Sequence, residues 1–429
     1  MDFYSVSLSL TSFSNKFHKN THDITTAITL SLLLRTVGAI IFGILSDRYG
    51  RKYPMIANLL LVTILELITS FVNTYSSFLA VRSLFGIGMG GIWGLSASTA
   101  LENLPVEARG LASGILQQGY ALGCLLASIV NLTLVPAKSG PDELGQDSVS
   151  SSLAGVRGVY QSKERVGNSR YQCEAKDADL FQRECNDVEA SLEKVHLCIP
   201  NDDGTGFTFL SHGSQDLYPT YLRQTKGFSE HDSTMSTVIG FCGAIIGGAF
   251  CGWISQYIGR RLTILIYMIL IGAFVPLWIL PDSFAGISAG AFFMQFAAQG
   301  CGGVIPIQLS EISPPAFRAS FPGIAYQLGS MVSSASAQIE ATGGDNIQIH
   351  MTLPDGTVSS VPDYGTVQGI LIGTVAAFLF IITIFGPENH GSEFEKHKAA
   401  FEEGAGIDDM VESSLRDDNH SELEGGRTK

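Results

Sequence analysis

The sequence predicts an all-α, polytopic membrane bundle. Three observations carry that expectation: charge is scarce, apolar runs long enough to cross a bilayer recur, and the second half of the chain repeats the punctuation of the first. Of 429 residues, 45% are hydrophobic and 15% charged, against about 25% charged in ordinary soluble domains. The formal charge of −14 is unevenly placed. The tail 386–429 holds 12 acids and 5 bases, and the stretch 137–206 holds 13 acids and 8 bases. Without them, 315 residues carry 28 charged groups. No basic stripe exists to neutralise phosphates, so nucleic-acid binding is not expected.

A bilayer core of roughly 30 Å takes about 20 helical residues. Apolar runs of that order lie at 26–46, 54–73, 77–100, 110–135, 235–257, 262–280, 284–309, 320–341 and 364–386. Residues 3–13 are too few to span, as if the first helix were truncated, and 207–222 is a short run studded with polar groups. These runs divide the chain into a first membrane half at 1–136, a polar insert expected to be disordered at 137–206, a second membrane half at 207–386 and an acidic tail at 387–429. No basic n-region or cleavage site suggests a signal peptide.

The connectors set an orientation. Arg48, Arg51 and Lys52 follow the first confident run, and Arg109 precedes the fourth. Arg260 and Arg261 follow the fifth, and Arg318 precedes the eighth. The positive-inside rule places these loops in the cytoplasm, with the acidic tail beside them. The connector 342–363, which lacks Lys and Arg, then faces outside.

A shift of 209 residues superimposes the two halves. Gly43, Gly50 and Arg51 fall on Gly252, Gly259 and Arg260; Gly94, Glu102, Pro105, Arg109 and Gly114 fall on Gly303, Glu311, Pro314, Arg318 and Gly323. Recurrent small residues account for the glycines but not for the matched Glu–Arg pairs. Parallel duplicated halves, related by an axis along the membrane normal, mark a large class of secondary transporters.

The loop Gly43-Ile-Leu-Ser-Asp47-Arg48-Tyr-Gly50-Arg51-Lys52, with its degraded copy Gly252-Trp-Ile-Ser-Gln256-Tyr-Ile-Gly259-Arg260-Arg261, resembles the signature between the second and third helices of the major facilitator superfamily. Glycines there permit a tight turn and close helix approach. Glu102 and Glu311 are the natural partners of Arg51 and Arg260, and with Asp47, Arg48, Arg109 and Arg318 they form a candidate gating set; simple anchoring of positive loops is the alternative. Arg82-Ser-Leu-Phe-Gly86-Ile-Gly88-Met-Gly90-Gly91 fits a dinucleotide fingerprint by letter. It sits inside a membrane run rather than after a strand, so helix packing through small residues is the expectation.

Residues Thr208-Phe-Leu-Ser211-His212-Gly-Ser214-Gln215-Asp216-Leu-Tyr-Pro219-Thr220 resemble the signature of the fungal JEN-type lactate/monocarboxylate proton symporters, the carboxylic acid transporter family. That signature reads Asn-x-x-Ser/Thr-His-x-Ser/Thr-Gln-Asp-x-x-x-Thr; only its Asn departs, replaced by Thr208. The likeness extends over 1–136 and 207–390. It implies a bundle of two six-helix halves, here with the first helix truncated and the sixth missing, and uptake of lactate, pyruvate or acetate with protons across the plasma membrane by a monomer.

The residues support this independently. At i, i+4 spacing Thr208, His212, Asp216 and Thr220 form one polar stripe of a helix, flanked by Ser211 and Gln215. Ionisable groups at membrane depth mark pathways, and a His beside an Asp is suited to carrying a proton. Arg35, ten residues into the first run, is the cation available to a carboxylate; pairing with Glu66 is its structural alternative, as packing is for His212. Gln117, Gln118 and Gln327 offer neutral hydrogen bonds to substrate or between helices. Competing readings are a non-transporting sensor or inactive paralogue, and a dicarboxylate (malate or succinate) or sugar transporter.

No cofactor, metal or enzymatic constellation is expected. Cys173, Cys185 and Cys198 lack ligand spacing, and the four cysteines in apolar runs are expected to be buried, reduced thiols. Counting crossings between 136 and 235 leads to a final expectation: zero crossings, with His212 and Asp216 in a re-entrant or surface segment and poor transport by this exact chain.

Overall fold

The computed structural model describes residues 17–18, 21–101, 104–134, 203–313, 320–352 and 358–385. The first half contributes α1 (Thr21–Tyr49), α2 (Lys52–Ser70), α3 (Tyr75–Leu101), α4 (Val106–Gln117) and α5 (Gly119–Leu134). The second contributes α6 (Asp203–Gln215), α7 (Tyr218–Gln224), α8 (Glu230–Ile258), α9 (Arg260–Ile279), α10 (Phe284–Gly302), α11 (Ile305–Ile312), α12 (Ser320–Ser333) and α13 (Ser336–Asn346). A hairpin of β1 (Gln348–Thr352) and β2 (Val358–Pro362), with Gln348 opposite Pro362, leads into α14 (Tyr364–Phe385). Among the described residues, six helices are long and apolar enough to cross a membrane unbroken, and α4–α5, α6–α7, α10–α11 and α12–α13 are pairs interrupted near their middles.

The surface is that of a protein bathed in lipid. Along α1, Leu33, Val37, Ile41 and Ile44 are exposed while Leu32, Arg35, Thr36 and Ala39 are buried. Apolar residues at helical spacing thus face outward and the polar ones inward, the reverse of a water-soluble helix. α9 and α14 likewise expose Leu262, Ile266, Ile269, Ile370, Phe378 and Ile381.

The 209-residue repeat is visible in the packing. A Cβ on Gly38 would lie 1.8 Å from the Ile87 carbonyl oxygen, and one on Gly247 would lie 2.2 Å from that of Phe296. Both residues of the second contact are displaced by 209 from those of the first. These seams join α1 to α3 and α8 to α10, and only residues without side chains allow backbones so close. Gly86 and Gly90 extend the first seam against Ser31 and Arg35, so the glycines of the Arg82–Gly91 motif serve helix packing. The tight turns also match: Gly50 and Gly259 end α1 and α8 with φ of 78° and 91°.

The halves meet along two antiparallel contacts. α12 lies on α1, with Gly43 against Ser320, Thr36 Oγ1 donating to the Gln327 carbonyl (3.0 Å) and Thr29 Oγ1 to that of Ser334 (3.3 Å). α4 and α5 lie on α8, with Gly110 and Gly114 against Gly252 and Gly248, and Ala121 and Cys124 clustered with Phe241 and Ala244. Gly94 touches Gly323 and Gly114 touches Gly303. Repeat mates thus exchange partners, as an isologous two-fold interface requires.

Two expectations are corrected. First, 203–224 is neither a surface nor a re-entrant segment. Gly206 packs on Leu379, Gly213 on Leu371 and Ile372, and Tyr221 on Gly365, so α6 and α7 run antiparallel to α14 through most of its length. The twenty-two positions from 203 to 224, helical except at Asp216 and Leu217, reach about 33 Å, a full crossing. The helix begins at Asp203, inside the polar insert; the rest of 137–206, with Cys173, Cys185 and Cys198, lies outside the described residues, as do 3–13 and the tail 387–429. α5 finishes beside the start of α8, toward the hairpin, whereas α6 begins beside the last turns of α14, at the end bearing Arg260. The ends of the two elements therefore face opposite sides, and the zero-crossing count, with the poor transport inferred from it, loses its basis. Second, Cys124, Cys251 and Cys301 are buried thiols, as expected, but Cys242 is exposed.

Gly247→Val is expected to lower stability by about 1–3 kcal/mol or more through overpacking of a seam, read as thermal unfolding in detergent. At Gly272 an added Cβ would meet nothing within 4 Å. It is the matched control, and Gly272→Val is expected to leave the transition unmoved.

Candidate functional site

The interior between the halves is built largely at helix interruptions. Pro219 lacks the N–H that would continue α6 into α7, and Leu217 departs from helical geometry with φ −107° and ψ 4°. The Asp216 amide still bonds the His212 carbonyl at 2.9 Å, so the polar stripe is continuous from Thr208 to Asp216, and the break carries Thr220 into α7. Irregular backbone at membrane depth is tolerated where protein surrounds it or a cavity is lined.

His212 Nδ1 stands 3.0 Å from Asp216 Oδ2, with side chains 7% and 1% exposed. Around them, Gln295 and Gln299 of α10 hold α6: Gln215 Nε2 donates to Gln295 Oε1 (3.0 Å), Gln295 Nε2 to the Ser214 carbonyl (3.0 Å) and Gln299 Nε2 to Ser211 Oγ (2.7 Å). Thr208 Oγ1 bonds back to carbonyls of its own helix, at 2.9 Å for Thr205. Ser211 and Gln215 thus serve helix contacts in this conformation.

From the first half, Gln118 Nε2 donates to the Gln299 carbonyl (3.2 Å). Gln117 accepts from Trp93 Nε1 (3.0 Å) and approaches the Tyr326 hydroxyl (3.3 Å), while Trp93 and Tyr326 stack at 4.0 Å. Gln117 and Tyr326 are themselves 209 residues apart, so this contact lies on the pseudo-two-fold axis. Arg35 and Gln327 are buried beside it. The Tyr120 hydroxyl is likewise buried in this interior. Glu66, the alternative partner for Arg35, stands 3.7 Å from Arg82, whose guanidinium also lies 5.2 Å from the centre of the Phe85 ring.

At the end bearing the basic loops, Arg260 grips Glu311 with two nitrogens, Nη2–Oε1 at 3.1 Å and Nε–Oε2 at 3.3 Å, both side chains nearly fully buried. Ser255 and Gln256 accept further bonds from the same guanidinium at 2.8 and 3.0 Å. Arg51 donates to the Ser98 carbonyl (3.2 Å) and Arg109 to that of Leu104 (2.9 Å). Asp47 Oδ2 accepts from the Ser320 amide (3.2 Å), placing a carboxylate of one half at the N-terminus of a helix of the other, where the helix dipole favours it. Glu102 and Arg318 lie outside the described residues, as does the side chain of Arg48. Arg261 donates to the Thr383 carbonyl (3.0 Å) and to Ile384, neutralising the C-terminus of α14.

Sequence reasoning did not single out Gln295, Gln299, Tyr120 or Glu340. A Gln pair at i, i+4 inside an apolar run and an acid at the end of another were the available signals.

A duplicated membrane bundle with a polar interior on the axis between its halves is the architecture of a secondary transporter. The chain belongs to the sugar (and other) transporter family of the major facilitator superfamily, whose model matches residues 3–143 and 207–401. It is 31% identical to a carboxylic acid transporter protein homolog of Saccharomyces cerevisiae, over 96% of this chain and 71% of that one. It is 26% identical to a probable 4-methylmuconolactone transporter of Cupriavidus pinatubonensis, over 72% of each. Among solved structures, a proton:xylose symporter of the superfamily bound to 6-bromo-6-deoxy-D-glucose aligns with a TM-score of 0.64 and 16% identity, covering 92% of this chain and 94% of that one; at that identity the likeness is one of fold.

Removing one partner of a buried ion pair costs about 3–5 kcal/mol, whereas replacing both by apolar groups is often neutral. Glu311→Ala is therefore expected to lower thermal stability sharply, and Arg260→Met with Glu311→Met to restore most of it.

Proposed function

We propose that the chain is a proton-coupled importer of short monocarboxylates such as lactate, pyruvate and acetate, working in the plasma membrane by alternating access. The observation that carries this reading is the buried His212–Asp216 pair, 3.0 Å apart, in a polar interior to which the first half contributes the buried cation Arg35. Similarity to a yeast protein named for carboxylic acid transport and the near-complete signature from Thr208 to Thr220 support it.

Arg35 binds the substrate carboxylate, using the planar fork that suits bidentate recognition. Gln117 and Gln118, with Thr208, Ser211, Gln215 and Gln327 across the interface, supply neutral hydrogen bonds once the halves separate enough to admit substrate. A proton arriving on the His212–Asp216 pair converts it from net negative to net neutral. Substrate anion and proton thus enter together without leaving an uncompensated charge at membrane depth, which would be costly.

Access alternates by rocking of the two halves about the axis at Gln117 and Tyr326. The latch on one side is the set Asp47, Arg48, Arg51, Glu102, Arg109, Arg260, Glu311 and Arg318. In the positive-inside orientation this side and the acidic tail are cytoplasmic and the β1–β2 hairpin is external. Glycine contacts such as Gly94–Gly323 let the halves close to backbone distance.

In yeast lacking its own permeases, the chain is expected to take up radiolabelled lactate or pyruvate from acidic medium. Arg35→Ala is expected to cost about 2–5 kcal/mol of anion affinity, tens of fold or more in KM, as when a buried charge loses its partner. His212→Ala is expected to abolish accumulation against a gradient while leaving exchange. Uptake of glucose and of no carboxylate, or equal pH-dependent uptake by all three proteins, refutes the assignment.

A further inference from the structure

Glu340 of α13 is fully buried. Gln368 Nε2 of α14 donates to its Oε2 at 3.0 Å. Its other oxygen, Oε1, meets no hydrogen-bond partner among the described residues. That oxygen lies over the backbone of Gly213, where a Cβ would come within 3.3 Å. Gly213 stands between His212 and Ser214, so the absence of a side chain brings the Glu340 carboxyl onto the stretch of α6 that carries the titratable pair.

The groups facing Glu340 are few. From α6 the charge of Asp216 acts on it, and Asp216 is itself held by His212. From α14 it meets the neutral Gln368 amide. Among the described residues, no charged group of α1, α14 or the hairpin acts on it, and no cation pairs with it. Among the described residues, Asp216 Oδ1, like Glu340 Oε1, meets no donor. Two carboxylates buried this close together, beside one imidazole, cannot both stay ionised. One amide bond does not offset the burial of a full charge.

We propose that Glu340 carries a proton in this conformation and is a second proton-binding group, coupled to the His212–Asp216 pair across Gly213. This rests on the reading of that pair as a proton site. The proton on Glu340 allows Asp216 to remain ionised against His212. Conversely, Glu340 releases its proton only when Asp216 is neutralised or moves away, so the two acids exchange occupancy rather than titrate independently.

The test is infrared spectroscopy of the full chain in lipid nanodiscs without substrate. Near neutral pH a protonated-carboxyl C=O band is expected, absent from Glu340→Gln. Asp216→Asn is expected to move the pH at which the band disappears. Gln368→Leu, which removes the hydrogen bond to that carboxyl, is expected to shift the band's frequency, and it serves should Glu340→Gln fail to fold. A band unchanged by Glu340→Gln, or a titration unmoved by Asp216→Asn, overturns the proposal; with Glu340→Gln unfolded, a frequency unmoved by Gln368→Leu does so. In reconstituted vesicles Glu340→Gln is expected to keep lactate exchange but flatten its dependence on pH, and an unaltered pH profile also overturns it. Failure of the unmodified chain to exchange any carboxylate refutes the functional reading instead, and leaves the substrate-free spectra to decide the protonation of Glu340.

Discussion

In each half, a glycine laid against a main-chain carbonyl joins two long helices: Gly38 on Ile87 and Gly247 on Phe296. Between helices in lipid there is no hydrophobic drive to associate, so close packing of small residues has to supply the cohesion. These seams make each half a rigid unit. The contacts between the halves add to similar glycine-on-carbonyl approaches, Gly114 on Gly248 and Gly252 on Gly110, single hydroxyl-to-carbonyl bonds such as Thr36 to Gln327 and a carboxylate at a helix N-terminus.

The polar interior follows from the same constraint. Backbone groups at membrane depth must be satisfied, so helices can be interrupted only where protein surrounds them. All four interrupted pairs contribute to the inter-half region or to the helices bracing it. Gln118 stands at the break of α4–α5, Asp216 at that of α6–α7, and Gln299 one turn before that of α10–α11. The polar side chains of the interior are thus placed where backbone regularity already yields.

Much of this was legible in the residues. The constant offset of 209 anticipated the paired seams and the paired turn glycines, because a duplicated fold needs the same close approaches twice. The spacing of Arg260 and Glu311 anticipated a pair that the structure closes with two bonds, since arginine at a helix start and glutamate at a helix end fall at one depth in antiparallel neighbours. The crossing at 203–224 was not legible. Its hydropathy is diluted by the groups that face the interior, and its first residues are polar, so composition alone ranks it below the lipid-facing spans. Glu340 was given no role for a related reason: an acid at the edge of an apolar run reads as a helix end unless its neighbours on other helices are known. Cys242 faces outward because residues of a lipid-bathed helix are apolar on both sides, and the sequence does not distinguish them.

The central claim is that a carboxylate held by Arg35 and a proton held by His212–Asp216 move together. Its most direct test is proton flux in proteoliposomes carrying a trapped pH indicator. An inward lactate gradient is expected to acidify the lumen faster than in protein-free liposomes, with no such effect from xylose. Lactate that moves no protons beyond the protein-free rate, or xylose that does, would contradict the account.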